Sequence, residues 1–444
     1  MQCKTLIGSK KKYLLKYPVF IFYFNFSIIL ISVLYSDVHS QSYWKSISSP
    51  VNTNLRNCVF TDNLNGWAAG DEGVIIHTSN GGNTFAIQNS GISYYINDIF
   101  FLNNRLGWVV ANEFLFSGTT ILSTSNGGTN WTSSLFPDTS KFFRTIYFRD
   151  SLNGFMGGFG GAIYKTTNAG VSWISSNIDS SEFSGFPVSR ITFSSPLIGF
   201  ACGGYTDVAG VIWRTSDGGF IWSAGAYSPE PFYDFYVKDP ERLICAGGDF
   251  EYGVQITSTS NAGLNWVYSS LKLFGQAYSI DFRTPYEGWM SLGYSLNWAV
   301  TYDSGNSWIN IPVPDKAEIY SVDFTDSLHG WAVGNNGAVL KYVPAKVRID
   351  FGNTLIPESF SLDQNYPNPF NPSTVIRYTL IENGFTGLKI YDQLGKEIAV
   401  IVNENQQAGI YYEKFDGSNL PGGIYFYTLS SGNTSVTKKM VIIK

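Results

Sequence analysis

The chain has 444 residues, of which 44% are hydrophobic, 16% aromatic and only 14% charged, where an ordinary soluble protein carries roughly 25% charged residues. That balance excludes disordered, collagen-like and coiled-coil chains, and the 45 glycines, 28 tyrosines and 33 phenylalanines favour strands and tight turns over helices. The formal charge of −5 becomes about −9 once residues 1–40 are removed, and an acidic surface repels phosphate, so nucleic acid is not an expected partner.

At the N-terminus, Lys4, Lys10, Lys11, Lys12 and Lys16 precede an apolar run from Val19 to Leu34. This order predicts a signal peptide over residues 1–40, cut between Ser40 and Gln41, where Val38 and Ser40 are small enough for the cleavage site. The competing reading is a membrane anchor, because the run approaches the ~20 residues that span a bilayer. No second apolar run follows, so the mature chain is expected to hold no stable transmembrane span.

Residues 41–343 carry two interleaved repeats. The first, Thr-x-(Asn/Asp)-x-Gly-x-x-(Trp/Phe), occurs six times, with its polar residue at Asn80, Asn126, Asn168, Asp217, Asn261 and Asp303. The matching glycines, Gly82, Gly128, Gly170, Gly219, Gly263 and Gly305, recur every 42–49 residues. As a hairpin turn the motif makes sense, since Asn or Asp bonds its own backbone and Gly supplies a positive φ. The second repeat is an apolar strand ending in an aromatic, then Gly-Trp or Gly-Phe six residues on: Phe60 with Gly66, Phe101 with Gly107, Phe148 with Gly154, Phe193 with Gly199, Phe282 with Gly288 and Phe324 with Gly330. Between Tyr233 and Gly247 that step is missing.

A period in the mid-forties suits four-stranded propeller blades. The last unit stops at Tyr342 without an outer strand, and Tyr43–Ile47 has the pattern to supply it. The expected fold is therefore all-β: a seven-bladed β-propeller over 41–343, closed by its N-terminal strand. The turn motifs resemble the Asp-box of bacterial neuraminidase-like (BNR) repeats. The segments Gly66–Ile75 and Gly330–Val339 resemble the seven-bladed propellers of the photosystem II assembly factor family (YCF48-like). This resemblance implies a fold and a binding scaffold, not photosynthesis.

Beyond an expected linker at 344–357, seven short alternating segments between Phe360 and Ile443 predict a small C-terminal β-sandwich over 358–444. Gln364–Pro372, Ile390-Tyr391-Asp392, Phe415-Asp416-Gly417, Gly423–Tyr427 and Lys438–Val441 closely resemble the type A sorting domain of the type IX secretion system. The resemblance implies export through that machinery, as partner, to the surface or exterior of a Gram-negative cell.

For chemistry the sequence offers little. His39, His77 and His329 are the three histidines, which excludes a His-rich metal site and disfavours a Ser-His-Asp triad. No phosphate loop or nucleophile elbow is present, and neither metal nor cofactor is expected. Asp281 and Asp323, each just before an inner-strand aromatic, are the paired carboxylates that a sialidase-like extracellular glycoside hydrolase would use. The arginine pattern of sialidases is absent, and the alternative role for both aspartates is bonding between blades. Arg56, Arg144 and Arg190 are candidate ligand residues at one mouth of the channel, suited to an acidic group. The expected function is non-enzymatic binding of a protein or glycan. Cys58, Cys202 and Cys245 remain after the leader, and Cys202 and Cys245 fall in matching segments, read as buried thiols.

Overall fold

A computed structural model describes residues 44–113, 118–179, 182–343, 359–432 and 434–444, together with the backbone of strands Val347–Asp350 and Thr354–Pro357. The expected signal peptide and its cleavage point, Ser40 and Gln41, lie outside the described residues.

Among the described residues, 44–342 form seven sheets, antiparallel apart from one short added strand, and four single-turn 3-10 helices, an all-β, propeller-like architecture. The innermost strands are Leu55–Phe60, Tyr95–Phe101, Phe143–Phe148, Val188–Phe193, Phe232–Val237, Ser279–Phe282 and Ile319–Phe324. Each neighbours the next, and the last neighbours the first, so they form a closed cycle. Trp44–Ile47 pairs with Val339–Tyr342 in the seventh sheet, so the two ends of the ring are held in one sheet. In the fourth sheet a fifth strand, Asn177–Ile178, crosses from the third and pairs parallel with Ile221–Ser228.

Packing explains the second repeat. A Cβ on Gly66 would sit 2.1 Å from the ring of Phe60, and at Gly107, Gly154, Gly199, Gly288 and Gly330 the ring six residues earlier lies at 2.3–2.6 Å. The glycine is the floor on which the inner-strand aromatic rests. In the fifth sheet Val237 faces Leu243 instead, and the smaller ring-free pair removes the need for glycine. Each Gly-aromatic ring then packs on the following sheet: Trp331 stacks on Phe60 at 3.7 Å, Trp67 on Phe101 at 3.6 Å and Trp108 on Phe148 at 3.6 Å. Such pairs add about 1 kcal/mol each beyond their buried area.

All six Asp-box turns are built alike. The Thr hydroxyl accepts the glycine N–H at 2.9–3.0 Å. The Asn or Asp oxygen accepts the N–H four residues on at 2.9–3.1 Å. The glycines adopt φ of 75–90°, a region other residues enter at a steric cost.

The segment expected as a linker contains a hairpin, Val347–Asp350 with Thr354–Pro357. All seven expected C-terminal strands are present, in a three-stranded sheet (Ser361–Leu362, Ser373–Leu380, Gly409–Asp416) and a four-stranded one (Glu397–Gln406, Gly384–Tyr391, Gly423–Ser431, Thr434–Ile442, in spatial order). Their inward residues, among them Ile376, Tyr378, Leu388, Ile390, Tyr427 and Met440, share one core. Cys58, Cys202 and Cys245 are buried free thiols; Cys202 and Cys245 touch without a disulfide.

Candidate functional site

Six of the seven innermost strands begin with a register shift, and the skipped residues are Arg56, Asn97, Arg144, Ser189, Tyr233 and Tyr320. A bulge re-aims its residue out of the ladder. Here it sets one residue in each of six sheets at the same end of the ring, its mouth. In the sixth sheet Tyr278 occupies the same column, just before Ser279. All seven lie four places before the inner-strand aromatic or its equivalent, Val237.

Four side chains of this column, Tyr233, Tyr278, Tyr320 and Arg56, touch in series. Tyr233 lies 5.8 Å from Tyr278, Tyr278 lies 5.8 Å from Tyr320, and Arg56 sits over both Tyr320 and Tyr95 at 5.7 and 5.6 Å. Arg144 lies over Phe159 at 5.4 Å and interacts electrostatically with Tyr233. From Tyr320 the rings continue outward to Tyr294, Phe250 and Phe274 at 6.4, 5.8 and 5.7 Å. Tyr294 and Phe274 are about 60% exposed, so the mouth opens onto an uncovered aromatic strip.

The candidate arginines differ in what holds them. Arg56 donates to Asp71 at 2.6 and 3.1 Å. Arg190 lies in the next row down, bridging Asp98 at 3.1 Å and Asp234 at 3.0 Å. Burial lowers the Arg190 pKa, but the two carboxylates outweigh it and hold the guanidinium charged. Arg144 forms no ion pair among the described residues, and burial pushes its pKa down. Arg56 and Arg144 therefore share the mouth, and Arg190 is consumed in a structural bridge.

Asp281 and Asp323 act between sheets. The Asp281 carboxylate accepts the N–H of Phe324 at 2.7 Å, and that of Asp323 accepts the N–H of Phe60 at 2.5 Å. Asp98 and Asp234 do the same for Ile146 and Ile280, both at 3.0 Å. Burial raises the pKa of Asp281, with Asp323 adding to it, and burial pushes Asp323 up to about 6. The six Asp-boxes join third to fourth strands, at the ends of the sheets away from the bulges, so they are turn-builders and not mouth residues.

Next to Phe250 of the aromatic strip, the carboxylate oxygens of Asp207 and Asp249, at hairpins of the fourth and fifth sheets, and of Glu230, in the connection between these sheets, lie within 4.8 Å of one another. Burial raises the Glu230 pKa, and Asp249, Asp207 and Glu251 add to the rise. Three carboxylates are the donor type that suits a hard divalent cation. No sequence motif marks this group, because its three carboxylates are separated by 23 and 19 residues and meet only in the fold. Tyr233, Tyr278 and Tyr320 were within reach of the sequence, in the column that already held Arg56 and Arg144.

Residues 364–443 match the family model of the secretion system C-terminal sorting domain. Residues 36–175 match that of the photosynthesis system II assembly factor YCF48. The fold is similar to solved YCF48 structures: one described as bound to D1 peptide, 21% identical with a TM-score of 0.55, covering 68% of this chain and 96% of that one; and YCF48 from Cyanidioschyzon merolae, 18% identical with a TM-score of 0.56, covering 68% and 99%. It is also similar to a GH74 enzyme from Niastella koreensis, 10% identical with a TM-score of 0.51, covering 90% of this chain and 75% of that one. At these identities the likeness concerns the fold. No curated protein matches the chain. The sorting domain implies interaction with the type IX secretion machinery and a secreted or cell-surface location. Among the described residues no helix is long and apolar enough to cross a membrane.

Proposed function

We propose that the chain is a secreted or surface-displayed, non-enzymatic binding protein: a seven-bladed propeller over 41–343 that holds an acidic polypeptide segment, followed by a sandwich over 358–444 that directs its export. The seven sheets in a closed cycle and the two C-terminal sheets with one core support this architecture. The observation that carries the binding reading is Arg144, a guanidinium with no ion pair among the described residues, at a mouth lined by Tyr233, Phe159, Tyr278 and Tyr320. Such a group gains most from an incoming carboxylate, which it binds through two parallel N–H donors. A YCF48 of similar fold has been solved with a peptide, which favours polypeptide over glycan.

The non-enzymatic reading rests on Asp281 and Asp323. Both carboxylates are engaged by backbone N–H groups between sheets, whereas glycoside hydrolysis needs one free base or nucleophile and one acid flanking the sugar. The likeness to GH74 enzymes keeps a glycosidase as the contrasting class. Binding of the mature protein to arrays of acidic peptides and of glycans, with hydrolysis assays on the glycans, tests both. Peptide binding lost in Arg144→Ala supports the proposal. Glycan product release that vanishes in Asp281→Asn or Asp323→Asn overturns it.

Export is tested by deleting residues 358–444. The ring of sheets is completed by residues 44–342 alone, so the truncated propeller is expected to fold and to stay in the periplasm. Its undiminished appearance at the surface or in the medium would refute the export reading.

A further inference from the structure

The two sheets of the C-terminal domain differ in what covers their outer faces. On the three-stranded sheet, Arg377 and Tyr412 are cross-strand partners that point away from the domain core. The Tyr412 hydroxyl accepts from Arg283 Nη2 at 3.1 Å and donates to Glu287 Oε2 at 3.2 Å, and its ring lies 6.3 Å from Tyr286. Arg283 and Glu287 form a buried ion pair, with side chains 8% and 3% exposed. They stand in the turn between the first two strands of the sixth propeller sheet. This face of the domain is covered by the propeller.

The four-stranded sheet has no such cover among the described residues. Strand alternation buries Ile390, Tyr425, Tyr427 and Met440. It turns Tyr391, Phe426 and Lys439 outward in one cross-strand row. Ile424, in the neighbouring row, is 38% exposed, and Lys439 makes no ion pair among the described residues. Packing therefore accounts for the inward half of these strands; on the outward half Lys389 pairs with Glu397 and Thr428 with Thr437, and no packing partner accounts for Phe426 and Lys439 among the described residues.

The C-terminal part of the last strand's free edge is also closed. Val441 N–H donates to Asn368 Oδ1 at 2.8 Å, Gln364 Nε2 donates to the Lys439 carbonyl at 2.7 Å, and Phe370 N–H donates to the Val441 carbonyl at 2.9 Å. Along Lys439–Ile443 the proline-rich segment stands in for a neighbouring strand, so a partner cannot add one there. At this stretch recognition is left to side chains.

We infer that the outward face of the four-stranded sheet, centred on Phe426 with Tyr391, Ile424 and Lys439, is the surface by which the secretion machinery binds this chain, and that the matching surface is apolar with an acidic rim. An aromatic centre with a charged margin is the composition of energetically dominant interface patches, and a lysine at the margin selects an acidic partner. This inference rests on the export reading above.

The test is fractionation of a type IX-competent cell producing the full chain, its Phe426→Ser/Lys439→Glu variant, Lys439→Glu alone, Tyr412→Phe, and the 358–444 deletion. The double variant is expected to retain its melting transition while its exported fraction falls about tenfold, the effect of ~1.4 kcal/mol in binding. Lys439→Glu, fully compatible with folding at an exposed position, is expected to lose export severalfold, whereas Tyr412→Phe is exported as the parent is. If the deletion is retained in the periplasm but both Lys439→Glu variants are exported normally, the face is wrongly assigned. If Tyr412→Phe alone blocks export, recognition uses the propeller-facing sheet and the inference falls. If the deletion itself is exported, the export reading has failed rather than the choice of face.

Discussion

The carboxylate of Asp323 in the seventh sheet accepts the backbone N–H of Phe60 in the first at 2.5 Å, joining residues 263 positions apart. Equivalent bonds run from Asp281 to Phe324, Asp234 to Ile280 and Asp98 to Ile146. The inner strands are thus tied to one another by side chain as well as by packing, and the carboxylates that do this stand close enough to repel one another.

The burial of Asp323 sets a pH dependence. The folded-state pKa of Asp323 is raised to about 6, so the folded protein binds a proton more tightly than the unfolded chain, with its usual value near 3.9. The stabilisation is complete below the unfolded value and is lost as pH rises through 6. The melting temperature of the parent protein should fall between pH 5 and pH 8, by an amount corresponding to about 1.4 kcal/mol. Asp323→Asn should flatten that profile, and calorimetry across the range checks it.

The two arginines singled out for the mouth and for the row below should part company on substitution. Arg190→Ala leaves Asp98 and Asp234 buried without their counter-ion and should destabilise by about 3–5 kcal/mol. Arg144→Ala removes a guanidinium that has no ion pair among the described residues and should change stability by less than about 1 kcal/mol while abolishing peptide binding. Urea unfolding beside a binding titration separates the two.

At the Asp-boxes, Thr301→Val deletes the hydroxyl that accepts Gly305 N–H at 2.9 Å and Asp303 N–H at 3.3 Å, in a fully buried position. Stranding those donors should cost about 1–3 kcal/mol. Ligand binding should be unaffected, because the turn lies at the far end of the sheets from the mouth. Equilibrium denaturation and the same peptide titration measure both.

Gly107→Ala places a methyl where the Phe101 ring lies 2.5 Å away, and overpacking of this kind costs about 1–3 kcal/mol. Adding Phe101→Leu to the Ala variant should recover part of the loss. A double-mutant cycle by thermal unfolding gives the coupling; additive effects would mean that the glycine does not serve the ring.

The sequence by itself carried the local chemistry. Period, turn residues and alternation of apolar positions are properties of a few neighbouring residues, so the Asp-boxes at Asn80 to Asp303, the Gly-aromatic steps and the seven C-terminal strands could be read directly. The need of the last sheet for a strand from the N-terminus was legible too, as a count that did not otherwise close. Contacts between distant residues were decided by the tertiary structure. Whether an arginine is free or bridged depends on carboxylates 44 to 92 residues away; the local pattern sets Arg144 and Arg190 one position apart in their strands but does not show which of them meets a carboxylate. The hairpin at 347–357 was hidden because two short strands without a patterned face look like a linker. The carboxylates of Asp207, Glu230 and Asp249 meet only because adjacent sheets bring two hairpins and the connection between them together. The tyrosine row fell between the two cases: its spacing was in the sequence, but its meaning needed the bulges, which set one residue in each of six strands out of the ladder at the mouth.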